Sequence, residues 1–262
     1  MANLFAQTLN KRLDKQPEKA GGLLQLALFG LGWLGLSVIA LLVTLIVKAV
    51  FQGRYPDPLA FENAWAHISV PTTINVISYI LLLFALTALS FRVLAALRHS
   101  FYRPSVIFKG IGYGGLILLS GILINVLYLV FKIQLTDNAN EATITSMMRT
   151  YPLASFIAFV IAGPICEELT YRLGLFGLLG RFNKYVAYAV TFVFFGLIHF
   201  DFDTTNLINE LLNLPFYVVA GLIFCYIYEK EGLTVSIYAH VTNNLISFVA
   251  TFLASDVIVR II

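Results

Sequence analysis

Charge is scarce in this sequence: Asp, Glu, Lys and Arg make up 12% of its 262 residues, against about 25% in an ordinary soluble chain. A soluble domain of this size turns much of its surface to water, so the shortage excludes an ordinary water-soluble globule and makes lipid the solvent. Cysteine is nearly absent as well. Cys166 and Cys225 both fall inside apolar runs and lack redox or metal-binding spacing, which leaves Cys225 as small buried filler and excludes a disulfide framework. No cleavable signal peptide is expected, because the first long apolar run exceeds a signal h-region and starts after some twenty polar residues. The sequence also lacks a soluble second domain, a low-complexity linker and an internal repeat. Its net charge of +3 argues for no nucleic-acid partner, since the basic residues border apolar runs instead of forming a groove.

What is present is apolar and long. Charge is missing from Ala20 to Val47, Asn63 to Phe91, Gly110 to Phe131, Thr150 to Cys166, Tyr185 to Phe200, Leu211 to Tyr228 and Gly232 to Ser255. In hydrocarbon a chain must satisfy its own backbone hydrogen bonds, so runs of this length predict an all-α, polytopic transmembrane helical bundle of about seven spans. Residues 1–19 read as a short surface arm and residues 20–262 as one transmembrane domain. The arm, the loop from Arg92 to Lys109 and the turn holding Arg181 and Lys184 are basic, whereas the segments between them are mixed or acidic. That bias predicts a cytoplasmic N-terminus and a short tail outside. Pro215 is expected to bend the sixth span. Gly163 and Pro164 mark a place for an eighth, re-entrant or broken segment.

Ionisable groups at membrane depth are costly, which makes them candidates for function or internal pairing. In a helix from about Tyr151 to Leu179, Glu168 and Arg172 are i,i+4 neighbours and can pair, while Glu167, rotated about 100° away, addresses another partner. His199 ends Phe195-Gly-Leu-Ile-His199. His240 and Asn244 share a helical face in His240-Val-Thr-Asn-Asn244. Counting about 1.5 Å per residue from the nearest cytoplasmic turns puts Glu167, His199 and Asn244 at roughly 20 Å and His240 at roughly 14 Å, so three helices bring polar groups to one layer.

A glutamate beside a histidine can position and deprotonate water, and low-dielectric surroundings make a carboxylate a stronger base. Glu167 is the expected general base, His199 its co-activator, and Arg172 the group that holds Glu168. His240 and Asn244 can donate to the oxyanion formed when a carbonyl is attacked. A metal competes for the same residues: Glu167, His199 and His240 make a plausible zinc set with an open water position, although the sequence has no HExxH helix and Asn244 is a poor zinc ligand. A transporter with a buried Glu/His ion path and a non-catalytic membrane scaffold are the other classes open to these residues.

At these residues the sequence resembles the CPBP intramembrane proteases, also called the CAAX-protease or Abi family. Its motifs are two glutamates with an arginine four positions after the second, a phenylalanine four positions before a histidine, and a histidine four positions before an asparagine. They read here Glu167-Glu168-Leu-Thr-Tyr-Arg172, Phe195-Gly-Leu-Ile-His199 and His240-Val-Thr-Asn-Asn244, intact and in order within about residues 150–250. The resemblance implies a conical bundle in the bacterial cytoplasmic membrane, with a cavity reached from the cytosol or laterally from lipid and a catalytic core at about 150–250. It implies hydrolysis of a membrane-associated peptide or protein, a prenylated CAAX-type C-terminus among the candidates. The family's first glutamate and first histidine activate water, and its second histidine and asparagine stabilise the oxyanion. Metal dependence is argued both ways.

Overall fold

The computed structural model describes residues 20–202 and 205–253, and the described residues are all helix and connection. The expected surface arm at 1–19 and the outer tail after residue 253 lie outside them. In chain order the helices are α1 (Gly22–Arg54), α2 (Pro58–Trp65), α3 (Ser69–Leu89), α4 (Phe91–Phe101), α5 (Pro104–Val130), α6 (Ala139–Thr150), α7 (Pro152–Leu179), α8 (Lys184–Leu197), α9 (Leu207–Glu231) and α10 (Leu233–Leu253).

Five of these, α1, α3, α5, α7 and α9, are long and apolar enough to cross a bilayer. The apolar run feeding α8 yields only 14 helical residues, about 21 Å at the α-helical rise. α10 has 21 residues, but His240, Thr242, Asn243 and Asn244 interrupt its apolar surface. The basic loop after Phe91 is not irregular, because Phe91–Phe101 forms an amphipathic helix with Val93 and Leu97 buried. Helix α9 runs through Pro215 without a break.

α7 is the centre of the bundle. Of its most apolar stretch 61% is buried, against 11% for α1, whose leucines and valines face outward as lipid-facing side chains do. It is one continuous helix through Gly163 and Pro164, with two π-helical stretches, Phe156–Ala162 and Glu168–Phe176. The register explains the first. Gly163 N–H donates to Ala158 O, five residues back. The next donor in that register, residue 164, is proline and has none.

Short side chains let α7 and α10 approach their neighbours. A Cβ on Gly32 of α1 would fall 1.8 Å from Thr170 Oγ1 on α7. On α5, Gly110 and Gly114 receive α10, the close approach that small residues one turn apart permit. A Cβ on Gly110 would sit 2.2 Å from Tyr238 Cβ. Gly110→Ala is therefore expected to force α5 from α10 and lower the midpoint of thermal unfolding in detergent, an overpacking cost of ~1–3 kcal/mol. Gly112→Ala, with nothing within 4 Å, is the matched control and leaves the midpoint unchanged within ~0.5 kcal/mol.

The two ends of the bundle differ in charge. At one end Lys109 pairs with Glu231 at 2.5 Å, Lys184 with Glu229 at 2.6 Å, and Arg181 donates to Gln25. Arg92, Arg98 and Arg103 belong to the same end, on or beside α4 between α3 and α5. The other end is mixed, with Asp137, Glu141, Asp201 and Glu210 beside Lys132 and Arg149. There Glu210 accepts from Ala139 N at 3.1 Å and Asp201 N at 3.2 Å, and Asn138 caps α6 by accepting from Glu141 N. The α9–α10 elbow is a single residue, Gly232, whose φ of 91° suits glycine.

Candidate active site

Glu168 organises the site. It is fully buried on α7, and its Oε1 lies 3.3 Å from Arg172 Nη1 and 2.9 Å from His240 Nδ1, while its Oε2 accepts from Ser236 Oγ. The i,i+4 pair expected from sequence forms, and α10 adds two partners, His240 and Ser236. The Arg172 guanidinium is held between two rings, Cζ standing 4.3 Å from the centroid of Phe195 and 4.8 Å from that of Phe224. Cation–π attraction thus supplies from two faces what its single carboxylate does not.

That anchoring orients His240. With Nδ1 against the Glu168 carboxylate, which only accepts, Nδ1 carries the proton and Nε2 is presented to the other side. Nε2 stands 3.7 Å from Glu167 Oε2, and the ring packs on Phe224 at 4.3 Å. Glu167 Oε2 is buried and has no hydrogen-bond partner among the protein groups. The two adjacent glutamates are therefore chemically unlike: one saturated, one open.

His199 is presented in the same manner from another element. α8 ends at Leu197, three residues short of Phe200, where the apolar run ends, and His199 sits in the turn that follows. Its Nδ1 lies 2.8 Å from Phe195 O, satisfying one of the carbonyls that every helix end leaves over. A carbonyl cannot donate, so Nδ1 holds the hydrogen and Nε2 keeps its lone pair. The ring stacks on Tyr217 of α9, centroids 4.4 Å apart and planes 11° from parallel. Tyr217 OH is in turn fixed by Asn138 Nδ2 at 3.2 Å.

Asn244 is tied to the π-helical turn of α7. Since Gly163 N–H goes to Ala158 O and Pro164 has no N–H, Phe159 O needs another donor, and Asn244 Nδ2 supplies it at 2.9 Å. Asn243 Nδ2 donates to Asn244 Oδ1 at 3.1 Å, so both ends of the Asn244 amide have assigned partners and its orientation follows from the network. One amide hydrogen of Asn244 is still uncommitted.

Glu167, His199, His240 and Asn244 line one cavity of about 510 Å³. Glu168 and Arg172 stand behind its wall. Trp33 of α1 belongs both to the lining and to the outer surface, being 43% exposed. Toward the mixed end the lining continues along α6 and α10 through Asn140, Glu141, Thr145, Ser247 and Thr251. Sequence reasoning misses Ser236, Tyr217, Phe224, Asn243 and Glu141. Ser236 was findable, four residues before His240 on the same face, whereas Tyr217 and Phe224 come from a helix without a motif. Among the described residues no group of three His, Cys, Asp or Glu side chains stands at metal-ligand spacing. Cys166 and Cys225 are free and buried.

Comparison with known proteins points to the same part of the chain. The family described as type II CAAX prenyl endopeptidase Rce1-like matches residues 149–246. A Bacillus subtilis (strain 168) protein named "Putative membrane peptidase YdiL" is 29% identical over 126 residues, 47% of each chain. An uncharacterized protein of Mycoplasma capricolum subsp. capricolum is 26% identical over 127 residues, 45% of this chain and 35% of its own. The UPF0177 protein YvdC of Lactococcus lactis subsp. lactis is 25% identical over 117 residues, 44% of this chain and 42% of its own. The chain thus spans less than half the length of these curated relatives. No solved structure matches it. The matched stretch, residues 149–246, is the part of the chain that holds Glu167, Glu168, Arg172, His199, His240 and Asn244, and over it the chain is similar to the family described as type II CAAX prenyl endopeptidase Rce1-like.

Proposed function

We propose that the protein is an intramembrane endopeptidase that hydrolyses a peptide bond in a membrane-associated protein or peptide, with water activated by Glu167 and His199. The observation that carries this reading is that Glu167, whose buried Oε2 has no hydrogen-bond partner among the protein groups, lines one cavity together with His199 and His240. A water held there gives one proton to Glu167 and hydrogen-bonds through the other to His199 Nε2. Its oxygen bonds to the carbonyl carbon of the substrate. The oxyanion so formed accepts from the free amide hydrogen of Asn244 and from His240 Nε2–H in its imidazolium form. Glu167 returns its proton to the leaving nitrogen as the C–N bond breaks. Glu168 and Arg172 touch no substrate atom and act through His240.

The seven apolar segments are read as crossing the bacterial cytoplasmic membrane with the basic end inside, α8 and α10 completing the crossing beside the five longer helices. Prenylated CAAX-type chains are one substrate class that the similarity over residues 149–246 suggests.

Every step above uses side chains of this chain alone. Purified protein in liposomes, exhaustively chelated, is expected to keep cleaving a quenched membrane peptide at its original rate. Activity lost on chelation and restored by zinc would replace this reading with one in which Glu167, His199 and His240 bind the metal.

A further inference from the structure

His199 is carried by a turn, whereas Glu167 lies on α7 and His240 and Asn244 on α10. A turn holds its side chains less firmly than a helix does, so the direction of this imidazole depends on what the ring touches. The contact of Nδ1 with Phe195 O, at 2.8 Å, fixes one atom and leaves the ring free to tilt about it. The face of Tyr217, its centroid 4.4 Å away and its plane 11° from parallel, removes that freedom. Tyr217 in turn ends a stripe on α9, where Asn209, Asn213 and Tyr217 recur every four residues and share a face with Glu210. The stripe grips every residue from Thr136 to Ala139. Asn209 Oδ1 accepts from Thr136 N at 3.1 Å, and Asn209 Nδ2 donates to Asp137 O at 3.2 Å. Asn213 Nδ2 donates to Thr136 O at 3.0 Å, Glu210 Oε1 accepts from Ala139 N at 3.1 Å, and Tyr217 OH accepts from Asn138 Nδ2 at 3.2 Å. Asn138 commits both arms of its amide, since its Oδ1 caps α6 by accepting from Glu141 N at 2.8 Å.

We infer that Tyr217 is a positioning residue for His199, and that its bond from Asn138 couples the orientation of the imidazole to the docking of α6 on α9. This rests on the hydrolase reading above and deepens it. In that reading His199 Nε2 accepts the second hydrogen of the water, and such a bond weakens steeply as the ring turns out of line. Tyr217 transfers no proton; its ring holds the plane in which the lone pair lies. The tether carries the second half of the inference. α6 supplies Asn140, Ile144, Thr145 and Met148 to the cavity lining. A peptide that packs on α6 therefore bears on the start of that helix and, through Asn138 and Tyr217, on His199. A packing role alone would be served by any apolar side chain of this size. It would require neither parallel rings nor a hydroxyl partner, Asn138, that is 1% exposed.

The ring can be read without turnover. With Nδ1 donating to Phe195 O, neutral His199 is held in the Nδ1–H tautomer, whereas an unrestrained neutral imidazole exchanges between both. Nitrogen NMR of histidine-labelled protein in nanodiscs, at about pH 8 so that an ordinary imidazole is neutral, assigns His199 by its loss in His199→Gln. The wild type is expected to show the Nδ1–H form alone, and Tyr217→Leu a mixture. In cleavage of a membrane peptide Tyr217→Leu should lower kcat by about 10- to 100-fold, the cost of misplacing a reacting group, with KM nearly unchanged. Tyr217→Phe keeps the ring and Asn138→Ser keeps the cap, yet each removes the tether, so each should lower kcat by about 5-fold. Combined, they should cost no more than either alone, because both remove the same hydrogen bond. A pure Nδ1–H tautomer with wild-type kcat in Tyr217→Leu would overturn the inference, as would a loss confined to KM. Should Tyr217→Leu not fold, the conservative pair decides: wild-type kcat in both, or losses that multiply in the double variant, would overturn it. A tautomer mixture in Tyr217→Leu beside a wild type that cleaves nothing would sink the hydrolase reading alone, since the NMR signal needs no catalysis.

Discussion

Glu168→Ala is expected to cost ~3–5 kcal/mol and to leave little detergent-stable protein, because it strands a buried arginine. Arg172 is 0% exposed and has one carboxylate partner, Glu168. Its ring contacts with Phe195 and Phe224 soften the loss but carry no negative charge. The same substitution frees His240 Nδ1 and Ser236 Oγ at once, so three polar groups on two helices lose their acceptor. Glu168→Gln keeps the shape and one carbonyl acceptor, and its thermal midpoint should fall between those of the wild type and Glu168→Ala. If Glu168→Ala and Glu167→Gln unfold at the same temperature, the division of labour between the two glutamates is wrong.

Glu167→Gln should leave folding intact and lower the hydrolysis rate by about 10²–10⁴-fold, the range for loss of a positioned general base. The amide fills the same space, and Oε2 has no protein hydrogen bond to lose. What disappears is the capacity to take a proton from water and return it to the leaving nitrogen. Because the residue does not hold the substrate, KM should change little while kcat collapses. Single-turnover kinetics on reconstituted protein separate the two. An equal fall in affinity and rate would assign Glu167 to binding.

Much of this site was legible before any coordinates. The four-residue spacings place Glu168 with Arg172 and His240 with Asn244, and counting along helices brings Glu167, His199 and His240 to one level. What local spacing cannot show is the partner across the bundle. Glu168 reads as half of an ion pair, yet its Oε1 also meets His240, 72 residues away. Asn244 reads as a free donor, but the π register of α7 and the missing N–H of Pro164 commit one of its hydrogens to Phe159 O. Glu141 reads as an outer-loop charge, and the fold brings it to the lining of the cavity. The apolar run through His199 predicts helix to Phe200, whereas the imidazole caps the helix by bonding Phe195 O. Seven apolar runs give five helices that meet both length and hydropathy on their own, since α8 is short and α10 spends its surface on the site.

The central claim is that Glu167, His199, His240 and Asn244 together break peptide bonds within the membrane. It is tested most directly by comparative peptidomics of membranes carrying wild-type or Glu167→Gln protein at equal abundance. The account predicts new cleavage products in the wild-type membranes only, their sites lying in membrane-associated segments. Identical peptide profiles with both proteins folded in the membrane would contradict it.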